Sequence, residues 1–296
     1  MKIALRVALA LLAIVAVAGW LLTQPSRVDR SSLANLSGDP TRGANVFWAG
    51  GCASCHTDDS EQADPARPVL SGGHRLETPF GTYVGPNLSP DPTHGIGSWT
   101  LAEFADAMLK GVSPEGRHYY PVFPYTSYAR MTLQDVADLK AFIDTLPASA
   151  RADEPHALSF PWSVRRGIGL WKRRYLDTTW VAAAGTPTIE RGRYLVEGPG
   201  HCGECHTPRD PYGGLDTSRW MAGAPNPSGK GNIPNITPAA LQWSAADIAY
   251  YLETGFDPGF DSAGGSMAAV VRHMARLPGS DRDAIAAYVK ALQPAE

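Results

Sequence analysis

The feature that most constrains this chain is a five-residue motif that occurs twice. Residues 52–56 read Cys-Ala-Ser-Cys-His, and residues 202–206 read Cys-Gly-Glu-Cys-His. Two thiols three residues apart and followed at once by His are typical of covalent c-type haem attachment, in which the thiols form thioethers and the His binds iron. The alternatives are a redox-active C-x-x-C pair, which does not need the His, and half of a zinc site, which needs further ligands. Two copies favour haem, so we predict two covalent haem c groups held by Cys52, Cys55, Cys202 and Cys205, with His56 and His206 as iron ligands.

The composition agrees with a globular protein built around such a cofactor. The chain has 296 residues, which is enough for two domains of ordinary size. Its 30 glycines and 25 prolines suit short helices joined by long loops that wrap a flat group. A net charge of only −3 gives no reason to expect nucleic-acid binding.

The N-terminus carries a targeting or membrane segment, which we place at 1–25. Lys2 and Arg6 precede an apolar run over residues 7–22, a pattern that predicts a cytoplasmic N-terminus and an exported remainder. The small residues at 16–18 fit signal cleavage, which would leave a soluble periplasmic protein. Because the apolar run continues past them, we favour a single uncleaved anchor in the inner membrane, with the haem domains in the periplasm.

The rest of the chain reads as an internal duplication, with a first repeat at 41–150, a connector at 151–185 and a second repeat at 186–296. Residues 85–90 (Gly-Pro-Asn-Leu-Ser-Pro) correspond to 233–238 (Ile-Pro-Asn-Ile-Thr-Pro). Each repeat then has a helix that begins after Thr100 or Ser244 and ends at Gly111 or Gly255. We therefore expect a mainly α fold of two tandem cytochrome c-type domains, each wrapped around one covalent haem, after an N-terminal membrane helix.

The connector matches neither repeat and is rich in Trp and Arg. One interpretation is a linker whose aromatic side chains pack between the two domains. The other is a basic, aromatic strip that contacts lipid headgroups or an acidic partner. We favour the first, since basic side chains on a linker are usually solvated.

Several longer stretches resemble a known family. Residues 85–88, 95–99, 116–121 and 123–125, together with 200–209 and 264–267, are similar to the cytochrome c subunits of membrane-bound alcohol, gluconate and fructose dehydrogenases. The resemblance covers about 41–296. Those subunits usually carry three haems and this chain has two motifs, a departure that many free-standing dihaem relatives share.

The resemblance also implies further haem ligands. Pro86 and Pro234 stand where this class has a proline whose carbonyl accepts a bond from the proximal His. Met267, in a glycine-flanked stretch ahead of the last helix, matches the family's sixth ligand to iron. Many relatives have Met where this chain has Phe123, which leaves Met131 as the candidate in the first repeat. Met274 is expected in the core, Met108 and Met221 are poorer candidates, and His118 and His201 are not assigned as ligands.

Two functions follow from these residues. The first is an electron carrier that passes single electrons between a periplasmic or membrane-bound dehydrogenase and the respiratory chain, through a terminal oxidase or the quinone pool. The alternative is a dihaem redox enzyme of the peroxidase or thiosulfate dehydrogenase type. That enzyme would need one haem with an open or unusual ligand position.

Overall fold

The computed structural model describes residues 2–58, 64–226 and 231–295, and every predicted site residue lies within them. The fold is mainly helical, as expected. The helices are α1 (Lys2–Leu22), α2 (Pro40–Ala49), α3 (Ala53–His56), α4 (Leu101–Lys110), α5 (Tyr125–Tyr128), α6 (Leu133–Ile143), α7 (Ile168–Tyr175), α8 (Pro187–Glu197), α9 (Gly203–His206), α10 (Ala245–Thr254), α11 (Gly265–Met274) and α12 (Gly279–Ala291).

Short antiparallel strands lie between the helices. Strands β1 (Arg75–Thr78), β2 (Gly81–Val84) and β3 (Ala157–Leu158) form one sheet in that order, and β4 (Ala224–Pro225) pairs with β5 (Asn232–Ile233). The three-stranded sheet joins the start of the connector to the first repeat.

The helix ends predicted from the sequence are confirmed. Thr100 and Ser244 each form a capping box at the start of α4 and α10, with Glu103 and Asp247 as the reciprocal partners. Gly111 and Gly255 end these helices with φ of 58° and 80°, a left-handed conformation that glycine adopts without the steric cost of a Cβ. The same local sequence therefore makes the same helix in both repeats.

Each repeat is built on a close crossing of its first and last helices. A Cβ on Gly43 of α2 would overlap the carbonyl oxygen of Asp138 on α6, and a Cβ on Gly192 of α8 would overlap that of Ala284 on α12. Beside both crossings an arginine of the first helix pairs with an aspartate of the last: Arg42 with Asp138, and Arg191 with Asp281. Backbones this close leave room only for glycine, which explains the Arg-Gly pair that opens both repeats.

The connector is fixed by its basic residues rather than left in solvent. Lys172 of α7 is buried, and its ammonium donates to the carbonyls of Lys110 and Gly111, each at 2.6 Å, and to His118 Nδ1 at 3.1 Å. Burial lowers the pKa of Lys172 to about 7, while the two carbonyls at the end of α4 favour its charged form. Trp171 donates its indole N–H to the carbonyl of Tyr212, so α7 contacts both repeats.

The end of α1 is held by the same connector. Helix α1 is 21 residues long, apolar and exposed along its length, which makes it long enough to cross a membrane. At its C-terminal end, Arg166 donates to the Trp20 carbonyl at 2.8 Å and Arg173 to the Leu22 carbonyl at 2.6 Å. Arginine at this end of a helix satisfies carbonyls that lack a partner within the helix.

Replacing Gly43 or Gly192 with alanine should destabilise the haem-loaded protein by about 2 kcal/mol or more, because the added methyl group forces the crossing helices apart. Gly185→Ala is the matched control, since an added Cβ there would meet no atom within 4 Å. Thermal unfolding followed by circular dichroism measures all three. Equal midpoints for Gly43→Ala and Gly185→Ala would show that the crossing tolerates a side chain.

Candidate haem-binding sites

The first motif forms a short helix whose histidine is held in one orientation. Helix α2 ends at Gly50, Gly51 turns the chain at φ 57°, and Cys52 precedes α3, on which His56 lies. His56 Nδ1 is 2.8 Å from the carbonyl oxygen of Pro86. A carbonyl only accepts, so Nδ1 carries the hydrogen, and Nε2 of the neutral ring keeps a lone pair. Burial lowers the pKa of His56, which further favours the neutral ring.

The second motif repeats this arrangement. Cys202 precedes α9, and His206 Nδ1 is 2.9 Å from the carbonyl oxygen of Pro234. Burial again lowers the pKa of the ring, here that of His206. Both histidines therefore offer Nε2 as a ligand atom.

The residue after each proline fixes the loop that carries the carbonyl. The Asn87 amide donates to the carbonyls of Ser149 and Arg151, both at 2.8 Å, beyond the last helix of the first repeat. The Asn235 amide donates in the same way to the Ala295 carbonyl at 2.7 Å. The sequence showed the Pro-Asn pair in both repeats, but it gave no sign that the asparagine ties the loop to the end of its own repeat.

The donor set fits covalent haem c. Each motif presents two cysteines free of disulfides and one histidine with a fixed Nδ1. Burial raises the pKa of Cys52 and of Cys202 to about 12. Two thiols for thioether formation and one lone-pair nitrogen are the atoms that attached haem requires from the protein.

The two methionines proposed as ligands differ in their surroundings. Met131 is buried and lines a small apolar pocket with Cys52, Met108 and Tyr128. Met267 is partly buried and packs against the core. It was expected in a loop, but it lies in the first turn of α11, which begins at Gly265 with φ 55°.

The backbone shows which positions correspond between the repeats. Tyr119 N donates to the Gly111 carbonyl and Ala263 N to the Gly255 carbonyl, each at 2.7 Å. Counting onward from these two amides, Met267 corresponds to Phe123. Met131 lies at the entry to α6, where the matching entry to α12 has Leu277. The two methionines therefore do not occupy equivalent positions.

The other methionines agree better with packing roles. Met221 is fully buried, and its carbonyl accepts from Ile236 N, as the carbonyl of Leu70 accepts from Leu88 N in the first repeat. Met274 is buried on α11, as expected of a core residue.

The chain segments that lead into the two motifs contact each other directly. His201, which precedes Cys202, has φ 40°, and its Nε2 donates to the Gly50 carbonyl at 3.2 Å. Also from the second repeat, His273 of α11 lies beside the Trp48 ring, with 5.6 Å between ring centroids, and 3.4 Å from Ser54 Oγ. Two histidines of the second repeat therefore lie against the first attachment motif and the residues just before it.

Glu204 strengthens this contact from inside the second motif. Its carboxylate accepts from Thr126 Oγ1 at 3.0 Å and from Ser127 Oγ at 3.3 Å, both on α5 of the first repeat. The side chain is only 11% exposed and also pairs with Arg209. The variable position of a C-x-x-C-H motif thus holds the helix that precedes Met131.

Replacing Glu204 with alanine should lower the unfolding free energy of the haem-loaded protein by about 1–2 kcal/mol, because two hydroxyls lose a charged acceptor. It should also speed amide hydrogen exchange in residues 125–131. The matched control is Asp283→Ala, which removes an exposed carboxylate on α12. Unchanged exchange in residues 125–131 would show that Glu204 does not hold α5.

Comparison with known proteins agrees with this geometry. A family model for cytochrome c matches residues 40–147. The chain is 58% identical over 291 residues to a protein named diheme cytochrome c-type from Cereibacter sphaeroides, and the match covers 98% of both chains.

More distant similarity extends to subunits of dehydrogenases. Identity is 35% over 268 residues with the cytochrome subunit of fructose dehydrogenase from Gluconobacter japonicus, covering 85% of this chain and 52% of that one. It is 36% over 267 residues with the cytochrome c subunit of a quinone alcohol dehydrogenase from Gluconacetobacter polyoxogenes, covering 86% and 56%. The chain thus spans about half the length of these subunits. From the whole-length identity and the two attachment motifs, the chain belongs to the dihaem c-type cytochromes and carries two covalently attached haem c groups.

Proposed function

We propose that this protein is a membrane-anchored electron carrier that passes single electrons between a dehydrogenase and the respiratory chain. The observation that carries the proposal is the direct contact between the segments that lead into its two attachment motifs, through His201 and Gly50. Bound haem supplies a one-electron change at iron, so the protein need only hold it, tune it and keep two such centres close. The dehydrogenase partner is suggested by the relatives that are named as cytochrome subunits of such enzymes.

The residues around each proposed centre have separate roles. Domain one, at 41–150, would hold its haem through Cys52 and Cys55, with His56 as the iron ligand oriented by the Pro86 carbonyl. Domain two, at 186–296, would do the same through the corresponding residues Cys202, Cys205, His206 and Pro234. The connector at 151–185 would keep the two domains in contact.

Met131 and Met267 are proposed as the sixth ligands. A thioether favours ferrous over ferric iron and so raises the potential, which suits a carrier in a respiratory chain. Phe123 stands in the position that corresponds to Met267 and has no ligand atom, so a sulfur ligand in the first repeat would have to come from elsewhere. Met131 is supported by its burial and by the pocket it shares with Cys52.

Replacing Met131 or Met267 with alanine should each remove the weak near-infrared sulfur-to-iron band of one haem and lower its potential by on the order of 100 mV. The open iron should then bind carbon monoxide. Met274→Leu, a volume-conserving change of a core methionine, is the control and should leave bands and potentials unchanged.

An unchanged spectrum in Met131→Ala would rule out Met131 as a ligand. Because Met131 and Met267 are not in equivalent positions, the two variants test the two assignments separately. Such a result would favour the alternative function, a dihaem redox enzyme of the peroxidase or thiosulfate dehydrogenase type.

The anchor proposal rests on the charges at the start of α1 and on the contacts of the residues that follow it. Lys2 and Arg6 support a cytoplasmic N-terminus by the positive-inside rule, which would put both haem domains in the periplasm. The chain just after α1 is tied to the first repeat, because buried Asp106 accepts from Arg27, Arg30 and the Val28 amide. The haem domains would therefore lie close to the membrane surface, near the quinone pool or an oxidase.

The protein extracted from membranes should have the intact mass of residues 1–296 with two haems, since we expect no cleavage after Ala18. The Ala18→Leu variant removes the small residue that a signal peptidase requires, and it should remain in the same membrane fraction as the wild type. A wild-type chain that begins at Gly19 and appears in the soluble fraction would contradict the anchor.

A further inference from the structure

The duplication places the same hairpin after α4 and after α10. The first hairpin, residues 112–118, closes with a bridge between Val112 and His118, and the second hairpin, residues 256–262, closes with one between Phe256 and Ser262. Both follow a glycine whose carbonyl accepts an amide hydrogen bond of 2.7 Å from beyond the hairpin. The two hairpins are therefore the same element of the repeated fold.

The first hairpin is covered by cationic side chains from elsewhere in the chain. Lys172 of α7 binds the carbonyls at the end of α4 and the ring of His118. Arg27 donates to the Pro114 carbonyl at 3.1 Å. As a result Val112 and His118 are almost completely buried.

Among the described residues, no cationic side chain hydrogen-bonds to the second hairpin in this way. Phe256 is 44% exposed and Phe260 is 83% exposed, and Tyr250 on the neighbouring turn of α10 is 50% exposed. In the described parts of the chain, no side chain hydrogen-bonds to the carbonyls of Thr254 and Gly255, which correspond to the two that Lys172 binds. Among the described residues, the equivalent surface is thus aromatic and open, without a side-chain donor at these two carbonyls.

Phe260 has a left-handed backbone conformation, which is unusual for a residue other than glycine. Its φ is 64°, where the first hairpin has Gly116 with φ 78°. The backbone amides of Gly116 and Phe260 each donate to the carbonyl of the first residue of their turn at 2.9 Å, so the two positions correspond. Phenylalanine in the left-handed region is sterically unfavourable, and a side chain this exposed gains little burial in return. Such strain at a solvent-exposed aromatic residue points to a role in binding another molecule rather than in stabilising the fold.

The charge around the second hairpin complements a cation. Asp247 and Asp257 line a shallow depression of about 340 Å³ together with Tyr250, Pro258 and Phe260. Carboxylates next to exposed aromatic faces favour lysine or arginine side chains. Such a cation pairs with the carboxylates and stacks on the aromatic rings.

We propose that the second hairpin, with Tyr250, docks a lysine- or arginine-bearing helix of a partner protein, in the way that the first hairpin docks α7. The hairpin leads directly into α11 and Met267, so the partner would arrive beside the second proposed haem site. That the partner is a redox protein rests on the proposed electron-carrier function. The preference of this surface for a cationic helix is independent of that proposed function.

The test uses a synthetic peptide with residues 165–176 of this chain, the segment that covers the first hairpin. Its binding to the full-length, haem-loaded protein in detergent is measured by calorimetry, without any redox step. We expect one peptide per protein and weaker binding at high salt. A scrambled peptide of the same composition should bind at least about tenfold more weakly.

Phe260→Gly should weaken peptide binding by about tenfold, as expected for an aromatic anchor. The same change relieves the left-handed strain, so the unfolding midpoint should stay the same or rise by about 2 °C. Tyr212→Ser, which removes an equally exposed aromatic ring elsewhere, is the control and should bind as the wild type does.

Three results would overturn the proposal. Equal affinity for the scrambled peptide would show that charge attraction alone accounts for the binding. A fall of several degrees in the midpoint of Phe260→Gly would show that the ring serves the fold. Concentration-dependent dimerisation that Phe260→Gly abolishes would show that a second copy of this chain, rather than a cationic helix, occupies the surface. Each of these outcomes leaves the electron-carrier proposal standing, since none of them depends on haem potential.

Discussion

The hydrogen bond from a histidine Nδ1 to a proline carbonyl is the interaction on which the rest of this structure depends. It occurs once in each repeat, at 2.8 Å for His56 and 2.9 Å for His206. The bond fixes the tautomer and orients the ring, so that Nε2 is the ligand atom. Asn87 and Asn235 fix the loops that carry the two proline carbonyls. The helix crossings at Gly43 and Gly192 pack the first helix of each repeat against its last.

The two repeats are not independent carriers on one chain. His201 reaches the backbone just before the first motif, His273 of α11 lies against Ser54 of that motif, and Glu204 holds α5. These contacts bring the two attachment sites into one packed unit, the arrangement that electron exchange between the proposed centres requires. Lys172 and the connector arginines extend the unit to the end of α1, the helix proposed as the membrane anchor.

Local patterns in the sequence predicted much of this fold. The paired motifs, the caps at Thr100 and Ser244 and the closing glycines each depend on residues a few positions apart, and each is present in the structure. The contacts between repeats could not be predicted, because they join residues such as Glu204 and Thr126 that no periodicity relates. The connector shows the same limit: its arginines were expected to be solvated, but Arg166 and Arg173 bind carbonyls more than 140 positions away. The setting of Met267 also differed, because its glycine-rich stretch starts a helix instead of forming a loop.

The measurement that tests this account most directly is a redox titration of the purified wild-type protein, followed by absorption spectra with and without carbon monoxide. If Met131 and Met267 complete both irons, two one-electron steps should appear, both haems should be low-spin, and the reduced protein should bind no carbon monoxide. Carbon monoxide binding at one haem of the wild type would contradict the account, because that iron would lack a sixth protein ligand. The chain would then be better described as a redox enzyme than as a carrier.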